Sequence, residues 1–160
     1  MKKWKIYVFG GALILLAVLI LLASIFGPII MRKSDMSNLL AKVQAADLIS
    51  IYDPGYETGD VLGNKGKEIL LNEAELQEIK SLLQAVADGG YSYKQEKAFF
   101  GDSSGLRLRA RLGEEETVYL WFSEQELYYM SNETAVCFTA NHAEAYAALY
   151  QKMRDWLSTK

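Results

Sequence analysis

The hydrophobic pattern divides the chain near residue 33. Residues 6–31 form an apolar run with no Asp, Glu, Lys, Arg, His, Asn or Gln, and basic residues stand on both sides of it. About 20 apolar residues are enough for a helix to cross a hydrocarbon core of about 30 Å. We therefore expect a transmembrane anchor over residues 6–31, after a short cytoplasmic tail at residues 1–5. We expect this helix to kink or stop at Gly27-Pro28, because proline removes a backbone donor and clashes with the preceding turn.

Two kinds of cleaved leader compete with this interpretation. A signal peptide has an apolar core of about 7–15 residues that ends in an A-x-A-like site, whereas this run is longer and has no such site. A lipoprotein signal needs a cysteine close to the apolar run, and the only cysteine of the chain is Cys137. The pattern favours an anchor that stays attached.

The basic residues that flank the run predict its orientation. Three lysines precede it, and Arg32 and Lys33 follow it. The side richer in Lys and Arg usually stays in the cytoplasm. We therefore expect a single-pass protein of the cell membrane with a cytoplasmic N-terminus and an extracytoplasmic C-terminal domain.

Helical periodicity marks two segments of the polar part of the chain. Asn72 and Glu75 have the spacing of a capping box, and the apolar stripe that follows ends at Gly89-Gly90. Asn141 and Glu144 repeat the capping-box spacing before a second stripe. The two stripes predict two helices that each bury one face. They consist of Leu76, Ile79, Leu82, Leu83 and Val86, and of Tyr146, Leu149, Tyr150, Met153, Trp156 and Leu157.

Period-two alternation, which is typical of strands, is clearest at residues 106–112. Leucine and alanine occupy one face there, and three arginines occupy the other. Residues 117–122 return with the same alternation, so the two segments predict a hairpin. A loop of three or five residues keeps apolar opposite apolar, whereas a loop of four would mix the faces. The odd loop places Tyr119 and Trp121 across from two of the arginines.

Shorter β-type runs lie at residues 48–52, 68–71, 91–100, 127–130 and 135–139. The element order is β-β-α-β-β-β-β-β-α, and its short connections favour antiparallel neighbours. We therefore predict an α+β fold: a transmembrane helix, then a two-layer domain of twisted antiparallel sheet with two helices on one face. The domain covers residues 47–160. We interpret residues 32–46 as a juxtamembrane spacer in which a helix can continue or restart.

Charge and composition exclude several classes of function. Residues 34–160 hold 12 Lys and Arg and 20 Asp and Glu, which gives 12 − 20 = −8. A domain that binds nucleic acid needs a basic footprint, so we expect no nucleic-acid partner. One histidine rules out a histidine-rich metal site, and one cysteine rules out an internal disulfide.

The sequence contains one pattern typical of an enzyme. Gly101, Ser103 and Gly105 match G-x-S-x-G, which in a serine hydrolase carries the nucleophile, with His142 as a candidate base. A nucleophile elbow needs a helix after the serine, and here the clearest strand follows it. A hairpin turn is therefore the favoured interpretation, and we expect no catalytic residues.

Acidic side chains suggest one metal site. Asp53, Glu57 and Asp60 lie in one glycine-containing loop and could offer oxygen ligands to Ca²⁺, but their spacing is not that of an EF-hand. A solvated loop is favoured. Cys137 alternates with its strand neighbours and is interpreted as a small core residue. We therefore expect no metal and no cofactor.

The most distinctive predicted surface combines arginines with aromatic rings. Arginine and aromatic residues dominate binding hot spots, and arginine also stacks on aromatic faces. The alternative is the ordinary solvated face of a sheet, with the arginines paired to the Glu-rich turn. The candidate partner-binding residues are Arg107, Arg109, Arg111, Tyr119 and Trp121.

Four stretches make the chain similar to a family, namely KKWK before the apolar run, EILLNEAELQEIKSLL, LRLRARL and AEAYAALYQKMRDW. With this layout the chain resembles small membrane-anchored extracytoplasmic proteins of Gram-positive bacteria. The resemblance implies a location outside the cytoplasm and transfers no activity.

We expect a non-enzymatic interaction module that is held in lipid by residues 6–31 and binds a protein or a component of the cell envelope. Two alternatives stay open. One is a small serine hydrolase that uses Ser103. The other is a structural subunit that associates with a membrane complex through its anchor.

Overall fold

The computed structural model describes residues 2–54, 66–98, 105–132 and 134–160, and the side chains in these ranges except those of residues 2–12 and 98. The chain forms two compact units, one up to Ser34 and the other Asp35–Lys160. The predicted loop at Glu57 and Asp60, the G-x-S-x-G serine Ser103, and Phe99 lie outside the described residues.

The first helix, α1, spans Lys2–Ala45 and contains Pro28. The helix therefore does not stop at Gly27-Pro28, which was one of the two outcomes expected at this site. A proline removes only one intrahelical hydrogen bond, and the turns on either side keep theirs, which lets an apolar helix continue. Among the described residues, one helix is long and apolar enough to span a membrane, over Leu13–Ala45, with a mean hydropathy of 3.0 in its most apolar window.

The last turns of α1 belong to the second unit. Met36, Leu40 and Val43 are buried, as is Ala46 just beyond the helix, and all are part of the main core. The segment 32–46, which we interpreted as a spacer, is therefore helical up to Ala45, and the compact unit begins at Asp35 rather than at residue 47. Apolar residues three and four positions apart form one stripe of the helix, and that stripe faces the core.

Within the part of the chain that the structure describes, seven antiparallel strands form one sheet in the order β2-β1-β4-β5-β6-β7-β3. Strands β1 and β2, which are Leu48–Asp53 and Lys67–Leu70, make one edge. Strand β3, Tyr91–Ala98, makes the other edge and carries a bulge between Tyr93 and Gln95. The central strands β4 to β7 are Leu106–Leu112, Glu116–Phe122, Leu127–Ser131 and Thr134–Ala140.

Two helices, α2 (Glu73–Gly89) and α3 (Ala143–Thr159), pack with the inner face of this sheet. Both predicted apolar stripes point into the core. Ile79, Leu83 and Val86 of α2 are buried, and so are five of the six stripe residues of α3, Tyr150 being half-buried. The α+β fold predicted from the sequence is confirmed.

The caps of the two helices differ in how well the sequence predicted them. The Asn72 side chain accepts a hydrogen bond from the backbone N–H of Glu75, the Glu75 carboxylate accepts one from the Asn72 N–H, and α2 ends at Gly89 with Gly90 at φ +76°. These predictions are confirmed.

The predicted cap of α3 is wrong. His142 stands at the N-cap position and makes no side-chain capping bond. The Asn141 amide oxygen instead accepts a hydrogen bond from the Ser92 hydroxyl at 2.8 Å. The side chain therefore ties the helix start to β3, a long-range partner that the local spacing does not reveal.

The hairpin β4–β5 has the predicted odd loop. Leu112 pairs with Glu116, which leaves the three residues 113–115 in the turn, with Gly113 at φ +58°. Leu108 lies opposite Leu120, and Ala110 lies opposite Val118. All four side chains are buried in the core.

Candidate binding face

The five candidate residues of the sequence lie on the outer face of the sheet, opposite the two helices. We call this set, Arg107, Arg109, Arg111, Tyr119 and Trp121, the arginine face. Arg107 pairs with Trp121 and Arg109 pairs with Tyr119 in the β4–β5 register. Arg109, Arg111 and Tyr119 are exposed, whereas Arg107 and Trp121 are half-buried. The face therefore contains an open part and a packed part.

Arg107 is the packed arginine. Its guanidinium carbon lies 5.2 Å from the ring centre of Tyr52 and 5.4 Å from that of Trp121. A guanidinium within about 6 Å of an aromatic face is attracted by the ring quadrupole. Its Nε atom is buried and has no hydrogen-bond partner among the described residues. Arg107 is thus packed between two rings on the outer face of the sheet and offers less open surface than Arg109 and Arg111.

The rings continue this packing across the sheet. Trp121 stacks on Tyr128 with ring centres 6.1 Å apart and an angle of 16° between the planes. Tyr119 lies 5.9 Å from Trp121 at a tilt of 38°. Lys97 of the edge strand reaches over β7 and lies 5.8 Å from the Tyr128 ring centre. It can do so because β7 presents the small side chains of Ala135 and Cys137 at this level of the sheet.

The open part of the face contains a groove of about 310 Å³ over strands β2, β1 and β4. Arg109 and Arg111 line it together with four residues that the sequence did not single out. These are Leu48, Ser50, Glu68 and Leu70. Leu48 and Leu70 are 37% and 56% exposed. Cationic and apolar surface therefore meet in one depression.

The two groove arginines are only lightly engaged by the protein. The Arg111 Nε donates a hydrogen bond to the Gly113 carbonyl at 3.0 Å, which orients the side chain and leaves its terminal nitrogens available. Arg109 Nη1 lies 3.9 Å from the Glu68 carboxylate, at the limit of an ion pair. That carboxylate accepts a hydrogen bond from the Ser50 hydroxyl at 2.6 Å. An exposed ion pair as long as that between Arg109 and Glu68 contributes little stability. Both guanidinium groups are therefore available to bind a ligand.

A separate charged cluster lies at the β3 side of the sheet. The Glu126 carboxylate lies 2.5 Å from Lys94 Nζ and 3.2 Å from Lys97 Nζ. The hydrogen bond from Lys94, assisted by Lys97, holds the pKa of Glu126 below its usual value. The same carboxylate raises the pKa of Lys97. The cluster contains two lysines and one carboxylate, so it keeps a net positive charge, and Lys94 and Lys97 stay about half exposed.

The other residues considered from the sequence take different positions. His142 packs against α2 near Gly89. Cys137 is buried, and burial raises the pKa of its thiol, which suppresses the reactive thiolate. Within the described ranges, no three His, Cys, Asp or Glu side chains come together in a way that could hold a metal ion. Asp53 ends β1, and its two predicted Ca²⁺ partners lie outside those ranges.

The structure assigns to the face and groove several residues that sequence reasoning missed. Tyr52, Tyr128 and Lys97 support the rings, and Leu48, Ser50, Glu68 and Leu70 line the groove. The alternation Leu48-Ser50-Tyr52 places these three on one face of a strand. It does not reveal that β1 pairs with β4, so no local signal placed them beside the arginines.

No family model, no curated protein and no solved structure matches this chain.

Proposed function

We propose that the chain is a single-pass membrane protein whose extracytoplasmic domain is a non-enzymatic binding module. The observation that carries this proposal is the groove in which Arg109 and Arg111 lie beside the exposed Leu48 and Leu70. Arginine is one of the residue types enriched in binding hot spots, and the two exposed leucines add apolar surface beside it. A groove of this size is near the lower end of ligand sites, which range from about 300 to 1,000 Å³.

The first unit of the chain supports the membrane part of the proposal. The large apolar side chains from Leu13 to Leu22 are 44–68% exposed. A core helix of a soluble protein would bury such a stripe, whereas lipid accommodates it. The excess of lysine before the run supports a cytoplasmic N-terminus. Cysteine placed at Ser158 in the Cys137→Ala background should react with a membrane-impermeant maleimide in intact cells. Labelling only after lysis would contradict this orientation.

The binding part of the proposal is tested by crosslinking from the face itself. A photo-crosslinking amino acid at Tyr119, in the full chain in its native membrane, should give a discrete adduct. Arg109→Gln and Arg111→Gln should each reduce that adduct about tenfold if they contact the partner. Arg154→Gln is the matched control, because Arg154 is an exposed arginine of α3 and its loss changes the net charge equally.

The same experiment separates the proposal from the structural-subunit alternative. Loss of the adduct with both groove variants, and its persistence with Arg154→Gln, would support the binding face. An adduct insensitive to both groove variants would contradict that face. Association that survives both changes, and is lost when residues 13–26 are replaced by another apolar sequence, would favour a structural subunit acting through its anchor.

A further inference from the structure

The two sides of the groove differ in chemistry, and the residue between them, Ser50, has a small side chain. In the strand register, Ser50 of β1 lies between Leu70 of β2 and Arg109 of β4. Leu48 and Arg111 are paired in the next outward-facing row. The groove therefore runs along β1, with Leu70 and Glu68 on one side and the two arginines on the other. Ser50 forms a low floor because it is small and buried.

The charge distribution restricts the class of ligand. Residues 34–160 carry a net charge of 12 − 20 = −8, so a polyanion such as nucleic acid or an anionic lipid surface is repelled by the domain as a whole. The two arginines are a local exception, and Glu68 sits across the groove from them. A ligand that places a few carboxylates at the arginines and keeps the rest of its length uncharged fits this pattern.

The spacing of the arginines restricts the ligand further. Arg109 and Arg111 are two residues apart on one strand, so their side chains leave the sheet about 6.6 Å apart. Alternate side chains of any extended chain have the same repeat, and the intervening side chain points the other way. An extended segment that lies along β1 would direct two carboxylates to the arginines and one side chain to Leu70.

We infer that the groove binds an extended peptide segment of the pattern acidic–aliphatic–acidic. Each carboxylate accepts charge-assisted hydrogen bonds from one guanidinium, and the aliphatic residue between them covers Leu70. This inference rests on the proposed binding function and specifies its partner. Glu68 competes with the peptide for Arg109, because its carboxylate already lies 3.9 Å from that guanidinium.

The probe is a fluorescein-labelled peptide, Gly-Ser-Glu-Leu-Glu-Ser-Gly, titrated with the full chain in detergent micelles and followed by fluorescence anisotropy. Two peptides serve as controls. One has Glu-Glu-Leu in the centre, which keeps the composition and changes the spacing, and the other has Gln-Leu-Gln. We expect both to bind at least about tenfold more weakly than the probe, a difference that corresponds to roughly 1.4 kcal/mol.

Three substitutions in the protein test the geometry from the other side. Arg109→Gln and Arg111→Gln should each weaken binding of the probe about tenfold. Glu68→Gln should strengthen it several-fold, because it removes the competing charge while its amide oxygen can still accept from Ser50. Arg154→Gln should leave the affinity unchanged. Unchanged circular dichroism would show that each variant is folded.

The outcomes distinguish this inference from the proposed function. Equal affinity for the probe and the Glu-Glu-Leu peptide would overturn the inference, as would weaker binding by Glu68→Gln. Binding of phosphatidylglycerol vesicles that depends on the two arginines, with no binding of the probe, would also overturn it. If the probe fails while the crosslinked adduct still depends on Arg109 and Arg111, the motif is wrong and the binding face stands. If both fail, the proposed function fails as well.

Discussion

The guanidinium carbon of Arg107 lies 5.2 Å from the ring centre of Tyr52. Tyr52 is on β1, which precedes α2 in the chain, whereas Arg107 is on β4, which follows α2. The ring centre of Trp121, on the neighbouring strand β5, lies 5.4 Å from the same guanidinium carbon. The contact divides the arginine face into an arginine that stabilises the domain and two that are open to a partner. The three arginines of one strand thus have different roles although they share one alternation pattern.

This division predicts different costs for similar substitutions. Arg107→Gln should lower the free energy of unfolding by about 1–2 kcal/mol, because it removes two cation–π contacts and the packing of the side-chain stem. Arg109→Gln should change it by less than about 0.5 kcal/mol, as expected at an exposed position. Urea unfolding followed by tryptophan fluorescence measures both. Equal costs at the two positions would show that the ring contacts contribute no stability.

The buried end of α1 predicts where the domain can be shortened. A chain that begins at Ser34 should fold, whereas one that begins at Asp47 should not, because it lacks the buried side chains of Met36, Leu40 and Val43. Removing one large buried side chain costs about 2–5 kcal/mol, and a whole domain is stable by only about 5–15 kcal/mol. Near-ultraviolet circular dichroism of the two chains measures this.

Point substitutions separate packing from chain length in that segment. Met36→Ala should destabilise the full chain by about 2–5 kcal/mol, and Asn38→Ala, at an exposed position of the same helix, should have little effect. A folded product that begins at Asp47 would contradict the assignment of this segment to the core.

The buried hydroxyl of Tyr146 is expected to stabilise the turn between β5 and β6. Its Oη lies 2.6 Å from the Glu126 carbonyl and 2.8 Å from the Ser123 carbonyl, so its proton can be donated to either. Burial raises the pKa of this phenol well above its usual value. Tyr146→Phe should therefore lower the unfolding free energy by about 1–3 kcal/mol, because it leaves the carbonyls of the β5–β6 turn without this donor. Tyr150→Phe, on the same helix, is the matched control and should cost less.

The hydrogen bonds of Glu126 with two lysines predict how the free energy of unfolding depends on pH. Its pKa is held below the ordinary value of 4.5 by the hydrogen bond from Lys94 and by Lys97. A carboxyl whose folded pKa is depressed contributes stability above its unfolded pKa and loses it as the pH falls through the folded pKa. Urea midpoints measured from pH 7 to pH 3 should fall less steeply below pH 4.5 for Glu126→Gln than for the unchanged chain. The difference in unfolding free energy at pH 7 should be about 1 kcal/mol. Parallel curves would mean that this cluster does not contribute to acid unfolding.

The distribution of polar and apolar residues along the chain determined the local structure. The apolar run at residues 6–31 specified a helix suited to lipid. The alternation at residues 106–112 specified a strand with arginines on one face, and it also selected the odd hairpin loop that pairs Leu108 with Leu120. These features depend on neighbours only a few residues apart, so periodicity and turn chemistry are sufficient to predict them.

Only the tertiary structure decided which segments meet. The pairing of β1 with β4 places Tyr52 beside Arg107, and it sets Ser50 between Leu70 and Arg109 to form the groove. The burial of Met36 in the core and the Asn141 bond to Ser92 likewise join distant segments. The physical reason is that strand order and core membership follow from the packing of all apolar faces together, and no local period encodes that choice.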